Sequence, residues 1–283
     1  MEQMEYIKKC PLCQSGTFKD YIHAVDHYYS HEKFVVVECE NCGFRFTNPR
    51  PEEKSSHNYY QNENYISHNT SKKGLMPFLY YQARRYSLKK KFNLVSSFRQ
   101  KGKILDYGCG SAGLLAFFKN KGWDVVGIES GDYARKEAMD NYGLEVFDES
   151  FLSRIPDNSI DVISLWHVLE HVYPLSQRIL DFKRILKPDS YLIIALPNCM
   201  SYDASVYADF WAAWDLPRHI YHFTPESIIN LMKKNGVQHL KTFPLKLDAY
   251  YISLLSEKYK KNPFGYFSAL KNAFLSNCKA SKR

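Results

Sequence analysis

The sequence predicts an α/β fold in which a doubly wound, mainly parallel sheet follows a small metal-binding module and a long helix. Three observations predict this arrangement. Two C-x-x-C pairs lie within the first 42 residues, a glycine-rich turn joins a strand to a helix after Lys103, and strands then alternate with helices to about residue 243. Such alternation is typical of a parallel sheet covered by helices on both faces.

Composition and charge exclude several classes of protein. The 283 residues are 45% hydrophobic and 24% charged, which excludes a disordered or collagen-like chain. The net charge of +8 is concentrated in two segments without acidic residues, 71–103 with ten Lys or Arg and 258–283 with seven. Such segments attract anions or are solvated helix faces.

The sequence also bears on the compartment. No apolar run approaches the roughly 18 residues that span a bilayer, and Lys8 and Lys9 stand where a signal peptide would be apolar. We therefore expect a cytoplasmic protein with no membrane partner. The oligomeric state is not indicated.

The first segment carries two cysteine pairs, Cys10 with Cys13 and Cys39 with Cys42. Two thiolate pairs at this spacing form a four-sulfur site for one tetrahedral ion. The chain is too long for a disulfide framework and lacks a secretory start. We predict structural zinc in a zinc-ribbon-like module over 1–50, with a redox role of either pair as the alternative.

A linker and helical cap are predicted over 51–102, with a long helix from about 75 to 98. Arg84 and Arg85 lie beside the apolar stripe of that helix, where an arginine needs an anionic partner such as a structural acid or a ligand carboxylate. A basic helical tail is predicted over 244–283, after a sixth strand over 238–245.

The core is predicted over 103–243 and begins with a glycine-rich segment. Asp106-Tyr-Gly108-Cys-Gly110 follows a strand and opens a helix, so that backbone N–H groups can approach a ligand closely. Glu129 ends the next strand, 23 residues after Asp106, where a carboxylate binds ribose hydroxyls. The acid before the first glycine would repel pyrophosphate but suits a ligand with sulfonium and amino groups.

These motifs resemble those of class I S-adenosylmethionine (SAM)-dependent methyltransferases, over about residues 100–243. The segment His167-Val-Leu-Glu-His171 is similar to the H-x-L-E-H segment of the ubiquinone-type O-methyltransferase and sugar C-methyltransferase branches. A zinc-binding segment also precedes the core in some sugar C-methyltransferases and some ribosomal RNA methyltransferases. The resemblance implies a Rossmann-like fold and SAM as cofactor.

The resemblance also implies roles for residues of this chain. Asp106 and the glycine turn would hold the methionine end, Glu129 the ribose, and an arginine of the preceding helix the methionine carboxylate. The implied cofactor-binding residues are Arg84, Arg85, Asp106, Gly108, Cys109, Gly110, Glu129, Ser130, Leu165 and Trp166. Two departures are visible: no acid aligns cleanly with the adenine-contacting position, and no segment before Arg283 has the pattern of the family's seventh, antiparallel strand.

An insert at 197–223 lies beyond the carboxyl ends of the strands, where substrates bind in such sheets. It concentrates tryptophan, histidine, arginine and aspartate side chains. Because histidine accepts protons near neutral pH, His219, His222 and Asp215 are the candidate catalytic residues, and similarity to a P-x-H-x-x-x-F-T segment favours His219. The alternative is an ordered loop that caps the next helix.

The H-x-L-E-H segment has two interpretations. One helical turn would place His167 and His171 on the same face with Glu170 beside them, a pattern known from metal sites. Because the segment follows a strand of this fold, we favour packing and supporting roles over metal binding.

We predict transfer of a methyl group from SAM to a small polar acceptor, a sugar or nucleotide-sugar hydroxyl or carbon. One alternative is an RNA methyltransferase that uses the zinc ribbon and the basic helix to bind RNA. Another is a non-catalytic zinc-ribbon binding protein on the same fold, and a nicotinamide-dependent oxidoreductase is more distant.

Overall fold

The computed structural model describes residues 4–60 and 75–281. Side chains are described for residues 4–60 and 82–281. The part of the predicted linker at 61–74 lies outside the described residues. The chain forms two compact units, each built from segments distant in sequence. The first contains the N-terminal segment to residue 62, residues 170–176 and the chain from 196 onwards, and the second contains 63–169 and 177–195.

The N-terminal segment of the first unit is an antiparallel β structure. Its strands are β1 (Met4–Glu5), β2 (Phe18–Val25), β3 (Lys33–Cys39), β4 (Arg45–Thr47) and β5 (Arg50–Pro51). β3 lies between β2 and β4, and β1 pairs with β5. β3 leads into the second cysteine pair and buries Phe34 and Val36.

The second unit contains a five-stranded parallel sheet in the order β10-β9-β6-β7-β8. Its elements follow α1 (Leu75–Phe98): β6 (Lys103–Tyr107), α2 (Gly113–Lys119), β7 (Asp124–Ile128), α3 (Asp132–Tyr142), β8 (Val146–Phe147), β9 (Ile160–Trp166), α4 (Leu175–Ile185) and β10 (Leu186–Ala195). Only the first two residues of α4 belong to the first unit. The order confirms the predicted doubly wound sheet and places β6 beside β9, where the winding direction changes and ligands bind.

The chain then returns to the first unit. Its remaining elements are α5 (Tyr202–Tyr207), β11 (Tyr221–His222), α6 (Pro225–Lys234), α7 (Lys246–Tyr259) and α8 (Gly265–Ala280). β11 pairs antiparallel with β4, so the predicted insert supplies the outer strand of the N-terminal sheet. α6 begins with a helix cap, in which the Thr224 side chain accepts a hydrogen bond from the Ser227 N–H.

The sixth strand predicted over 238–245 is wrong. The structure assigns no strand there, and residues 238–244 are exposed, Leu240 by 61%. A strand needs a partner and a surface to cover, and the apolar residues of this segment find neither within the part of the chain that the structure describes. None of the described helices is long and apolar enough to cross a membrane.

Candidate active site

The carboxyl end of β6 places Asp106 at the start of the glycine-rich turn. Its carboxylate is buried, and the Ser164 hydroxyl on β9 donates a hydrogen bond to Oδ1 at 2.6 Å. Burial raises the pKa of Asp106 to about 7, although the Ser164 hydroxyl and the Lys91 ammonium act in the opposite direction. A carboxyl group held near its titration point in a buried position is stabilised strongly by a cationic ligand.

Glu129, directly after β7, supports the same turn. One of its carboxylate oxygens accepts the Gly110 N–H and the other the Gly131 N–H, each at 2.9 Å. Gly108 and Gly110 have φ angles of +73° and +53°, which lie in the left-handed region that favours glycine. Glu129 therefore fixes the path of the loop while keeping acceptor capacity for hydroxyl groups.

The side chains of the other predicted cofactor residues differ in exposure and in direction. Arg84 and Arg85 are both exposed, but the Arg84 guanidinium reaches the first residue of α2, since a Cβ built at Gly113 would lie 2.6 Å from its Nη2. Cys109 turns its side chain towards β7, where a Cβ at Gly127 would lie 2.9 Å from its sulfur. The Cys109 thiol also donates to the Gly110 carbonyl of the turn, at 3.7 Å.

Three further predicted cofactor residues lie at strand ends, Leu165 and Trp166 at the end of β9 and Ser130 after β7. Leu165 is fully buried and Trp166 is half-buried, while Ser130 is exposed with its hydroxyl 3.5 Å from Glu129 Oε1. The Lys91 ammonium lies over the Trp166 ring, 4.5 Å from its centre. Lys91 thus brings a positive charge to the end of β9 and lowers the pKa of Asp106.

In the first unit, His219 occupies a buried site with two carboxylates. Its Nδ1–H donates to the Ala213 carbonyl at 2.9 Å, which leaves the lone pair on Nε2. Nε2 lies 3.9 Å from Glu170 Oε1 and 3.8 Å from Asp215 Oδ2. These distances are too long for direct hydrogen bonds but short enough to stabilise a positive charge on the ring.

His171 lies against His219, with ring centres 4.7 Å apart. Its Nδ1 is 2.9 Å from the Arg218 carbonyl and 3.0 Å from the Tyr60 hydroxyl. Because a carbonyl only accepts, Nδ1 carries the hydrogen. Burial, together with His219, lowers the pKa of His171 to about 4, so the ring is neutral at pH 7.

Asp215 is oriented by a buried arginine. Arg218 Nη2 donates to Asp215 Oδ1 at 2.7 Å and to Asp26 Oδ1 at 2.9 Å, and its side chain is 1% exposed. Burial alone would raise the pKa of Asp215, but Arg218 and His219 outweigh it and hold that pKa below its usual value. Asp215 is therefore a fixed negative charge beside His219.

His222 has a different environment from His219. The Thr47 hydroxyl donates its hydrogen to the His219 carbonyl at 2.9 Å. His222 Nε2 lies 3.1 Å from Thr47 Oγ1, and because that hydrogen is already used, Nε2 is the donor in the second contact. Burial lowers the pKa of His222 well below its usual value. The ring is neutral, has its Nε2 occupied, and connects β4 to the segment that carries His219.

The predicted helical turn through the H-x-L-E-H segment does not form. His167 has φ of +60° directly after β9, and a short 3₁₀ helix begins only at Leu169. Glu170 and His171 instead meet His219, and their ligand atoms lie within 4.8 Å of one another, a spacing that could also hold a metal ion.

The four N-terminal cysteines form a compact cluster. The Cys10 and Cys42 sulfurs are 3.6 Å apart, those of Cys13 and Cys39 are 3.5 Å apart, and all four lie within 4.8 Å of one another. Tetrahedral zinc with bonds of about 2.3 Å separates its sulfurs by about 3.8 Å. The cluster therefore has the size that one tetrahedral ion requires.

Comparison with known protein families bears on the parallel sheet and its glycine-rich turn. A family model described as a methyltransferase domain matches residues 79–242. The chain belongs to this methyltransferase family. It is a class I SAM-dependent methyltransferase. A search of curated proteins finds no match.

Several solved structures resemble the methyltransferase in part. A SAM-dependent methyltransferase from Archaeoglobus fulgidus is 20% identical, with 65% of this chain and 91% of that chain covered and a TM-score of 0.47. A methyltransferase from Galdieria sulphuraria is 19% identical, with 69% and 82% covered and a TM-score of 0.49. A SAM-dependent methyltransferase from Thermotoga maritima is 19% identical, with 56% and 77% covered and a TM-score of 0.44.

The residues of the methyltransferase fit SAM on structural grounds. The turn at Gly108 has no room for a side chain, because a Cβ there would lie 2.4 Å from Val168 Cγ2. Two carboxylates, Asp106 and Glu129, flank the turn, and this donor set suits an amino group, a sulfonium and ribose hydroxyls better than it suits phosphates.

Several residues around both sites were missed by the sequence reasoning. Lys91 lies three residues after Leu88, on the same side of the helix, so it could have been read as a charge facing the sheet. Asp26 and Tyr60 carried no local signal, because their partners Arg218 and His171 lie 192 and 111 residues away in sequence.

Gly108→Ala is expected to destabilise the methyltransferase by about 2–4 kcal/mol, since the positive φ and the contact with Val168 both oppose a Cβ. Urea unfolding measures the change. Gly143→Ala is the matched control, because Gly143 has φ of +57° with nothing within 4 Å of its Cβ position. Equal losses in the two variants would show that the close contact at Gly108 contributes nothing, and Val168→Ala should restore part of the loss.

Proposed function

We propose that the methyltransferase transfers the methyl group of SAM to a sugar or nucleotide-sugar hydroxyl or carbon, with His219 as the general base. The observation that carries this proposal is the lone pair of His219 Nε2 facing the carboxylates of Glu170 and Asp215. Such a site accepts a proton and stabilises the imidazolium that results.

The cofactor end follows from the second unit. Asp106 would hold the amino end of SAM, Glu129 the ribose, and Arg84 the carboxylate, with the backbone at Gly108 and Gly110 closing around the ligand. Bound SAM supplies a methyl group activated by its positive sulfonium. Trp166 and Leu165 would flank the methionine moiety, and Arg85 and Ser130 would lie at the rim.

The proton of the acceptor hydroxyl would move to Nε2 of His219. The Ala213 carbonyl fixes the tautomer of His219, so that Nε2 is the basic nitrogen throughout. Asp215, held by Arg218, and Glu170 provide the compensating negative charge. We assign His222 a positioning role, because its Nε2 is occupied by Thr47 and its neutral ring supports the backbone of His219.

Support for a sugar acceptor comes from the resemblance to sugar methyltransferases and from the polar character of the site, where the Tyr60 hydroxyl and His171 lie beside His219. Support for RNA is weaker. Glu40 lies exposed within the second cysteine pair, where its negative charge would oppose a phosphate backbone, whereas the charge of Glu38 is offset by Lys19 and Arg45. The cytoplasmic setting and the domain boundaries stay predictions.

The proposal is tested by incubating the purified full chain with SAM and a panel of nucleotide sugars, and measuring S-adenosylhomocysteine (SAH) formation and product mass. We expect one sugar nucleotide to gain the mass of one methylene with stoichiometric SAH. Methylation of an RNA pool with a steep dependence on salt would replace the sugar acceptor. SAH binding without turnover on any acceptor would favour the non-catalytic alternative.

We also propose that Cys10, Cys13, Cys39 and Cys42 bind one structural zinc ion. The first pair lies near α6, because the Lys234 ammonium donates to the Leu12 carbonyl at 2.7 Å. The ion would thus stabilise the N-terminal sheet of the unit that carries His219, with no part in the chemistry.

Cys39→Ser is expected to lower the zinc content from one ion per chain to none and to reduce the thermal stability of the first unit by at least about 2 kcal/mol, since one lost thiolate opens the site. Elemental analysis and calorimetry measure both. Cys278→Ser, on α8, is the control and should keep its zinc. Zinc that is lost in His219→Ala but kept in Cys39→Ser would move the ion to the Glu170–His171–His219 cluster.

A further inference from the structure

Helix α8 of the first unit buries the face that consists of small residues. The residues of α8 that are fully enclosed are Gly265, Ala269, Ala273 and Ser276. Helix α7 contributes Ser253 and Ser256 as buried residues in the same unit. Small residues let two helices pack closely, but they leave the large side chains of α8 to point elsewhere.

Polar contacts on the inner side fix this orientation. The Ser276 hydroxyl donates to Asp203 Oδ1 at 2.5 Å, and the Asn272 side chain donates to the Tyr207 hydroxyl at 3.1 Å. Asp203 in turn accepts the Trp211 indole N–H at 2.7 Å. Rotating α8 to bury its large side chains would break these hydrogen bonds and leave buried polar groups unsatisfied.

The outward face of α8 is apolar and aromatic. Tyr266 is 77% exposed, Phe267 78%, Leu270 52% and Phe274 58%, and Phe264 in the preceding turn is 72% exposed. Positions 267, 270 and 274 follow the helical repeat, so they form one stripe. Large aromatic side chains aligned in this way on a surface mark an interaction site.

The charges around this stripe favour one kind of partner. Lys258, Lys261 and Lys271 are exposed, as are Lys260 and Lys279, whose ammonium groups lie 5.9 and 3.9 Å from the ring centres of Tyr207 and Tyr202 on α5. The sequence has no acidic residue between 258 and 283. A second copy packed on the same stripe would bring lysines against lysines. An anionic lipid surface would pair with the lysines while the aromatic side chains enter the region between headgroups and acyl chains.

We propose that the α8 face binds the methyltransferase peripherally to membranes that contain anionic lipids. The helix lies on the membrane and does not cross it, in agreement with the described helices. This inference goes beyond the proposed function and replaces our sequence-based expectation of no membrane partner. It does not depend on the identity of the methyl acceptor.

Co-sedimentation of the full chain with vesicles tests the proposal. With equimolar phosphatidylglycerol and phosphatidylcholine we expect binding that weakens with salt and falls about tenfold in Phe267→Ser. Lys260→Glu combined with Lys261→Glu should reduce binding by at least about tenfold. Met139→Ser is the matched control, because Met139 is 50% exposed on α3 and should leave binding unchanged.

Three results would overturn the proposal. These are the absence of sedimentation with anionic vesicles, equal binding to vesicles of pure phosphatidylcholine, and equal binding by wild type and Phe267→Ser. Light scattering of the same samples identifies the competing occupant. A dimer in wild type that becomes a monomer in Phe267→Ser, without vesicle binding, would assign the face to a second copy of the chain.

Discussion

Replacing His219 with alanine is expected to lower kcat about 10³-fold while leaving SAH affinity within about threefold of wild type. The variant loses the proton acceptor of the first unit, whereas every residue assigned to SAM lies in the second. Steady-state SAH formation with the acceptor identified by the screen gives kcat, and calorimetric titration gives the affinity.

Glu170→Gln keeps the shape of the site but removes one of the charges that stabilise the His219 imidazolium. The carboxylate lies 3.9 Å from Nε2, so we expect kcat to fall about 10–10²-fold, with KM little changed. His239→Ala is the matched control, because this exposed histidine lies after α6 and contacts only Thr242 among the hydrogen bonds of the described residues.

The outcome that would contradict the assignment is a His219→Ala enzyme with kcat within about tenfold of wild type, since alignment of the reactants would then supply nearly all of the catalysis. His219→Gln provides a second test, because it fills more of the buried site than alanine does. Circular dichroism establishes that both variants are folded before their rates are compared.

Asp106→Asn is expected to weaken SAH binding about 10²-fold and yet to stabilise the ligand-free protein at alkaline pH. Both effects have the same origin, the buried carboxyl group at the end of β6. With ligand, its negative charge meets the amino group of SAH. Without ligand, the same charge lies in a site where burial raises its pKa to about 7.

The sign of the pH dependence follows from proton binding. Between the ordinary value of 3.8 and about 7, the folded protein holds a proton on Asp106 that the unfolded chain has released. The free energy of unfolding therefore falls as the pH rises through this window, and the contribution is fully lost above it. Asp106→Asn lacks this loss, so near pH 8 it should be more stable than wild type by about 4 kcal/mol.

Two measurements check the second prediction. Urea unfolding near pH 5 and near pH 8 gives the stability difference, with Asp124→Asn, an exposed aspartate at the start of β7, as control. Calorimetric titration in buffers of different ionisation enthalpy should show proton release when SAH binds to wild type near neutral pH, and none in Asp106→Asn. Unchanged affinity, or a variant less stable than wild type near pH 8, would contradict the role of Asp106.

The parallel sheet and its glycine turn could be predicted because their signals are local. A strand, a turn with glycines at fixed offsets and a helix follow one another within 17 residues from Lys103 to Lys119. The crossover rule then places the carboxyl ends of the strands together, so Asp106 and Glu129 meet at one edge without any knowledge of packing. The cysteine pairs are similarly local, and their clustering follows from the β2–β3 hairpin that joins them.

The acceptor-side cluster could not be predicted in the same way. Arg218 contacts Asp26 across 192 residues, and β11 pairs with β4 across about 175 residues, so no spacing in the sequence links them. The segment over 238–245 fails for the converse reason. Its apolar residues Leu240, Phe243 and Leu245 suggested a strand, but within the described residues no strand pairs with it.

The sequence by itself determined the family and the class of fold, and it predicted SAM as the cofactor and the residues that would bind it, because these depend on short motifs whose geometry is set by backbone conformation. Only the tertiary structure decided that Glu170 and Asp215 accompany His219, that His222 is held by Thr47, and that α8 presents its aromatic side chains outward. Those features depend on burial and on contacts between distant segments, which local sequence patterns do not encode.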